Sequence, residues 1–165
     1  MNPPMERKFR PILNTILFTV AVPGTVAVYI PYLVACGWKS PGEGWITGIG
    51  VVLIAVGAAI YLRCAWEFAV RGLGTPAPIA PTKYLVTTAL HRYARNPMYI
   101  GVALAIAGQS VLFRNLHVLE YAALMLLAAH LFVILYEEPT LQRRFGASYE
   151  EYRRAVPRWL PKFRR

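Results

Sequence analysis

The stretch Gly44-Trp45-Ile46-Thr47-Gly48-Ile49-Gly50-Val51-Val52-Leu53-Ile54-Ala55-Val56-Gly57-Ala58-Ala59-Ile60-Tyr61-Leu62 contains no charged residue between Glu43 and Arg63. An α-helix rises about 1.5 Å per residue, so a run of this length matches the roughly 30 Å hydrocarbon core of a bilayer. Three more stretches share its character: residues 11–38, 96–113 and 121–136 lack Lys, Arg, Asp and Glu. The last becomes a full span when residues 116–136 form one helix with Glu120 at headgroup level. One such run fits inside a soluble helical core, but four in one chain do not. The pattern predicts an all-α, polytopic membrane protein with about four transmembrane helices, at about 12–36, 45–66, 97–113 and 116–137.

Composition agrees with this. Of 165 residues 56% are apolar and 16% are charged, whereas a soluble domain of this size devotes about a quarter of its residues to charge. The chain carries 18 Lys+Arg against 8 acids, all Glu, for a net charge of +10. That excess would suit nucleic acid only if it formed one soluble face with base-stacking aromatics, and it does not. The basic residues fall instead at the N-terminus (Arg7, Lys8, Arg10), between the second and third spans (Arg63, Arg71, Lys83, Arg92, Arg95) and after the fourth (Arg143, Arg144, Arg153, Arg154, Arg158, Lys162, Arg164, Arg165). Only Lys39 and Arg114 lie in the other two loops. Lys and Arg in short loops stay on the cytoplasmic side. The expected arrangement is one domain in the inner (cytoplasmic) membrane with both termini inside and residues 138–165 as a cytoplasmic tail. The first apolar run exceeds a signal-peptide core of about 7–15 residues and is expected to remain as a span.

Within the spans, Pro23-Gly24 and Pro31 predict a kink, which membrane helices tolerate when neighbours satisfy the freed backbone groups. Gly50 and Gly57 share a face of span two; Gly101, Ala105 and Gly108 share one of span three. Small residues at that spacing let helices approach closely, or leave room for a ligand beside span three. Cys36 and Cys64 form no CxxC pattern and have no His at ligand spacing, which argues against a disulfide or metal site. Nothing in the pattern specifies an oligomeric state.

The segments outside the spans carry the chemistry. Residues 72–82, rich in Pro and Gly, read as a shaped loop. Arg92, Arg95, Asn96 and Tyr99 then surround the start of span three, with Pro97 at the helical position that best accepts proline. A helix N-terminus offers free N–H groups and about half a positive charge. Two arginines beside it make a place to hold a carboxylate or phosphate, or an anchor to anionic headgroups. Span four ends in Glu137-Glu138, two acids against both the charge pattern and the helix dipole, which calls for a cationic or hydroxyl-rich partner. His130 lies seven residues earlier on the same face, as a ligand or a helix-to-helix hydrogen bond. In the tail, Gly146 is expected to end one helix and Ser148 to cap an amphipathic one whose inner face holds Tyr149, Tyr152 and Val156.

The run Arg92-Tyr93-Ala94-Arg95-Asn96-Pro97-Met98-Tyr99-Ile100-Gly101 is followed by Glu137-Glu138-x-x-Leu141, Phe145-Gly146-x-x-Tyr149-x-x-Tyr152 and Val156-Pro157-Arg158-x-x-Pro161. Together these resemble the integral-membrane methyltransferases, which include isoprenylcysteine carboxyl methyltransferase and the phospholipid N-methyltransferases. The likeness covers residues 74–161, and it departs at Ala89-Leu90-His91, where relatives commonly carry Gly-Pro-Tyr. It implies an enzyme that uses S-adenosylmethionine, with S-adenosylhomocysteine as product, in a cytoplasm-facing pocket built by the last two spans and the tail. It further implies cofactor contacts from Arg92, Arg95, Asn96, Pro97, Tyr99, Gly101, Glu137, Glu138, Tyr149 and Tyr152, with Arg153 and Arg158 in the matching tail. The residues themselves add His130 to the cofactor candidates and offer Glu150 or Arg153 to orient the acceptor. The acceptor would be a lipid or lipidated small molecule entering from the bilayer, methylated on a prenylcysteine carboxylate or a phospholipid amine. Two other readings share part of the pattern: an NADPH-dependent sterol-type reductase with a similar tail, and a non-enzymatic four-helix transporter or assembly partner.

Overall fold

The computed structural model describes residues 6–38, 41–42, 44–72 and 83–161, with side chains from residue 12 onward. The regular elements among the described residues are all helical, with no strand among them. Seven α-helices follow one another: α1 Glu6–Gly24, α2 Ile30–Val34, α3 Trp45–Glu67, α4 Pro97–Phe113, α5 Leu116–Phe132, α6 Glu138–Phe145 and α7 Ala147–Ala155. The predicted loop at 72–82 lies, apart from Gly72, outside the described residues.

Three helical runs are long and apolar enough to cross a bilayer: Ile12–Val34, Trp45–Gly72 and Leu116–Phe145. At the third predicted span lies a shorter apolar helix, α4, of 17 residues. Spans two and four extend further than their uncharged stretches indicate. Beyond Leu62, Glu67 pairs one turn back with Arg63 (2.6 Å) and one turn on with Arg71 (3.1 Å), and i,i+4 pairs of this kind support a helix past its apolar run. At the end of span four, a π-helical turn at Val133–Glu137 carries the helix into Pro139 without a break.

The first span shows how such a turn accommodates proline. Pro31 has no N–H to give the carbonyl of Ala27, and its ring crowds that carbonyl. The backbone widens into a π-helical turn at Thr25–Tyr29, with the Ile30 N–H on Thr25 O. The freed carbonyls are then taken by other helices: Gln109 Nε2 of α4 donates to Ala27 O at 2.7 Å, and the Tyr121 hydroxyl of α5 donates to Val26 O at 2.9 Å. The predicted kink is therefore a docking point that ties span one to both helices of the α4–α5 hairpin. A further tie joins spans one and two, where the Tyr61 hydroxyl donates to Thr19 Oγ1 at 2.9 Å while Thr19 donates to Thr15 O.

The closest packing is between α3 and α4. A methyl group at Gly57 would lie 2.5 Å from Gly101 O, and one at Gly108 would lie 2.7 Å from Gly50 O. The two helices touch backbone to backbone, and Gly101 is spent on that contact. The core around it comprises Tyr61, Ala65, Val102, Ile106, Val118 and Ala122. At one end of the bundle, Trp38 stacks on Phe113 at 4.6 Å and Gly42 N–H bonds Leu112 O. At the opposite end gather the close of α3, the segment 83–96, α6 and α7.

Candidate functional site

The chemistry collects at that second end, where α4 begins. Pro97 is its first residue and Asn96 its N-cap, but the Asn96 side chain makes no capping bond. Its Nδ2 donates instead to Arg158 O at 3.2 Å, and the Arg95 and Asn96 N–H groups bond Pro157 O (2.9 Å) and Arg158 O (3.3 Å). The Val156-Pro157-Arg158 segment is thus laid across the start of α4 by backbone bonds. Pro157 favours an extended conformation at the preceding Val156, which is extended and buried.

Glu138 sits at the centre of this arrangement. Its carboxylate takes a two-pronged contact from Arg158, Nε to Oε1 at 2.7 Å and Nη2 to Oε2 at 3.0 Å, and a second from Arg95 Nη1 at 3.0 Å. Such forked pairs are the stronger kind of charge-assisted bond. Arg95 Nη1 also donates to the Tyr149 hydroxyl at 3.2 Å, while Arg95 Nε is buried with no partner among the described residues. Burial, and then the Glu138 carboxylate, push the Tyr149 phenol above its ordinary range; the Glu138 bond holds the Arg158 guanidinium more firmly protonated still. Glu137, next to Glu138, accepts a bond from the Tyr99 hydroxyl at 2.7 Å. The paired acids therefore point to different neighbours.

Around this core, Tyr152 donates to His91 O at 2.7 Å, and Trp159 Nε1 donates to His130 Nδ1 at 2.9 Å. The Trp159 ring also meets Tyr99 edge-on at 6.4 Å. His91 is buried against Phe68, and burial drives its imidazole down to about 4, with Glu67 opposing that shift. Glu67 is itself buried, held by Arg63, Arg71 and a bond from the Thr88 hydroxyl at 2.8 Å.

The structure thus brings Arg95, Asn96, Pro97, Tyr99, Glu137, Glu138, Tyr149 and Tyr152 together. Other expected residues stand apart. Arg92 is exposed and lies over the Tyr93 ring at 4.6 Å. Gly101 faces Gly57 of α3. Glu150 pairs with Arg153 (3.4 Å) and Arg154 (3.5 Å) on the solvent side of α7. Ser148 does not cap α7, because Gly146, with φ +52°, both ends α6 and precedes α7 while Ser148 lies within the helix. Sequence reasoning missed Arg158 as the partner of Glu138, and it missed Trp159, His91, Thr88 and Glu67. An unbalanced acid pair was a signal for the first; the rest meet only through the fold.

A buried carboxylate held by two arginines thus lies beside a helix start without a side-chain cap and an unpartnered Arg95 Nε. The model of the family described as phospholipid methyltransferase matches residues 45–148 of this chain. The chain belongs to the phospholipid methyltransferase family. A relative in Schizosaccharomyces pombe, protein-S-isoprenylcysteine O-methyltransferase, is 35% identical over 77 residues, 47% of this chain and 33% of the relative. The chain thus covers about a third of that relative's length. The matched region takes in α3, α4, α5, α6 and the start of α7, so both paired acids and the start of α4 lie inside the phospholipid methyltransferase match.

Proposed function

We propose that this chain is a membrane methyltransferase that moves a methyl group from S-adenosylmethionine to a lipid-like acceptor. The observation that carries the reading is the Arg95–Glu138–Arg158 cluster set at the uncapped start of α4. It offers both signs of charge to a zwitterionic amino-acid group. Arg95, through its unpartnered Nε, and the first N–H groups of α4 suit the carboxylate of S-adenosylmethionine. Glu137 suits its ammonium or ribose hydroxyls, and the faces of Tyr99 and Tyr149 suit a sulfonium. When bound, the cofactor supplies an electrophilic methyl on sulfur, and the bonding pair leaves with the sulfur. The task of the protein is then to hold the acceptor close and in line.

The clustering of basic residues supports a cytoplasmic location for this end of the bundle and an inner-membrane home. The acceptor, a prenylcysteine carboxylate or a phospholipid amine, would arrive laterally from the bilayer. Glu150 and Arg153, paired with each other at the surface, suit a peripheral role. Calorimetry of the purified protein with S-adenosylmethionine tests the reading. The wild type should bind; Glu138→Gln should weaken binding at least about tenfold, the loss expected for one bond to a charged group, and Asn96→Ala, which removes a neutral bond to Arg158 O, by about two- to tenfold. No binding by folded wild type would refute it.

A further inference from the structure

On the bilayer side of the same end, α5 carries a groove of about 340 Å³ lined by Ala123, Leu126, Leu127, His130 and Trp159. The first four follow one stripe of α5 at three- and four-residue steps. Ala123, Leu126 and Leu127 are exposed on a membrane-spanning helix. The lower wall therefore faces hydrocarbon, and the upper end closes on two polar side chains.

Trp159 determines what that upper end offers. An indole N–H only donates, and it donates to His130 Nδ1 at 2.9 Å, so Nδ1 must present its lone pair. A neutral imidazole in that state carries its proton on Nε2. No described residue takes that second N–H. The groove thus ends in a hydrogen-bond donor, which matches an anionic oxygen and mismatches an ammonium group. From there the contacts run inward without a gap: His130 to Trp159, the Trp159 ring to Tyr99, and Tyr99 to Glu137 at 2.7 Å.

We infer that this groove seats the lipid acceptor, with its hydrocarbon along Ala123, Leu126 and Leu127 and an anionic headgroup oxygen on His130 Nε2–H. Identifying the occupant as the methyl acceptor rests on the methyltransferase reading above. The oxygen comes either from a carboxylate, as in an S-prenylcysteine, or from the phosphodiester of a phospholipid. His130 is here a substrate-binding residue, and Trp159 is a positioning residue that fixes its tautomer.

The test uses the full chain in lipid nanodiscs and two photoreactive probes, a diazirine S-farnesylcysteine and a diazirine phosphatidylethanolamine, with adducts mapped by mass spectrometry. At least one probe should label residues 123–130. Its unlabelled parent should compete, while the uncharged counterpart, N-acetyl-S-farnesylcysteine methyl ester or diacylglycerol, should not. The probe that behaves so names the source of the oxygen. Leu126→Trp, which fills the groove, and His130→Phe, which keeps a ring but removes the N–H, should each cut the competed label about tenfold. S-adenosylmethionine affinity by calorimetry should stay at the wild-type value in both. Label on residues 123–130 that is not competed, label competed equally by the uncharged counterparts, or His130→Phe weakening the cofactor instead, would each overturn the inference. Wild type that takes the competed label but binds no S-adenosylmethionine removes the methyltransferase reading alone. Wild type that binds S-adenosylmethionine but shows no competed label removes the groove alone.

Discussion

Adding one methyl group at Gly57 tests whether α3 and α4 are set by backbone contact. The new Cβ would lie 2.5 Å from Gly101 O and 2.6 Å from Ala105 N. Ordinary contact begins near 3.4 Å, so the helices must part by about 0.9 Å, and both obstacles are backbone atoms that no rotamer change can move. Overpacking of this kind costs about 1–3 kcal/mol. Alanine returns about 0.5–1 kcal/mol through its better helix propensity. The net loss for Gly57→Ala is about 0–2.5 kcal/mol, or a Tm lower by up to roughly 10 °C for a chain of this size. Gly48→Ala is the internal control: nothing lies within 4 Å of the added methyl on the same helix, so only the propensity gain remains and the Tm should hold or rise. Thermal unfolding in detergent, followed by circular dichroism, reads both. Equal stability of the two variants would refute the account of this interface. Parting the helices should also shift the start of α4, so S-adenosylmethionine affinity should fall in Gly57→Ala and not in Gly48→Ala.

Two further outcomes follow from the geometry. His91 is held neutral in the fold, with its pKa down to about 4 from an ordinary 6.5. The unfolded chain therefore takes up a proton that the folded one refuses between those values. Its contribution is complete above about pH 6.5 and is lost as pH falls toward 4, by up to about 1.4 kcal/mol per pH unit. His91→Phe should flatten that part of the wild-type stability profile, measured as Tm at pH 7 and pH 5, and an unchanged profile would contradict the assignment. Tyr121→Phe and Gln109→Leu each strip a donor from a carbonyl of the Thr25–Tyr29 turn, and each should cost about 0.5–1.5 kcal/mol by thermal unfolding. If neither moves the Tm, those carbonyls have other partners.

Much of the membrane frame was readable in the uncharged stretches, because burial in hydrocarbon leaves a mark in every residue of a span. Where each span ends was less legible. The Arg63–Glu67–Arg71 ladder and the π-helical turn before Pro139 prolong helices that an apolar count stops early. Motif spacing brought Arg95, Asn96, Tyr99, Glu137, Glu138 and Tyr149 forward together, and the fold gathers them at one end of the bundle. It could not separate Arg95 from Arg92, three residues apart in a segment that is not regular helix, where the direction of a side chain follows no period.

By itself the sequence determined the helical class, the number of apolar segments and the end of the bundle where charge accumulates, since each of these is local and additive along the chain. The tertiary structure decided which charges meet. Glu138 finds Arg158 twenty residues later only because Gly146 turns the chain back and the 156–158 segment hydrogen-bonds to the start of α4. His130 acquires a fixed tautomer only because Trp159 is carried to it across 29 residues. Pairings of that kind depend on the path of the backbone through space, and no periodicity within a single helix encodes them.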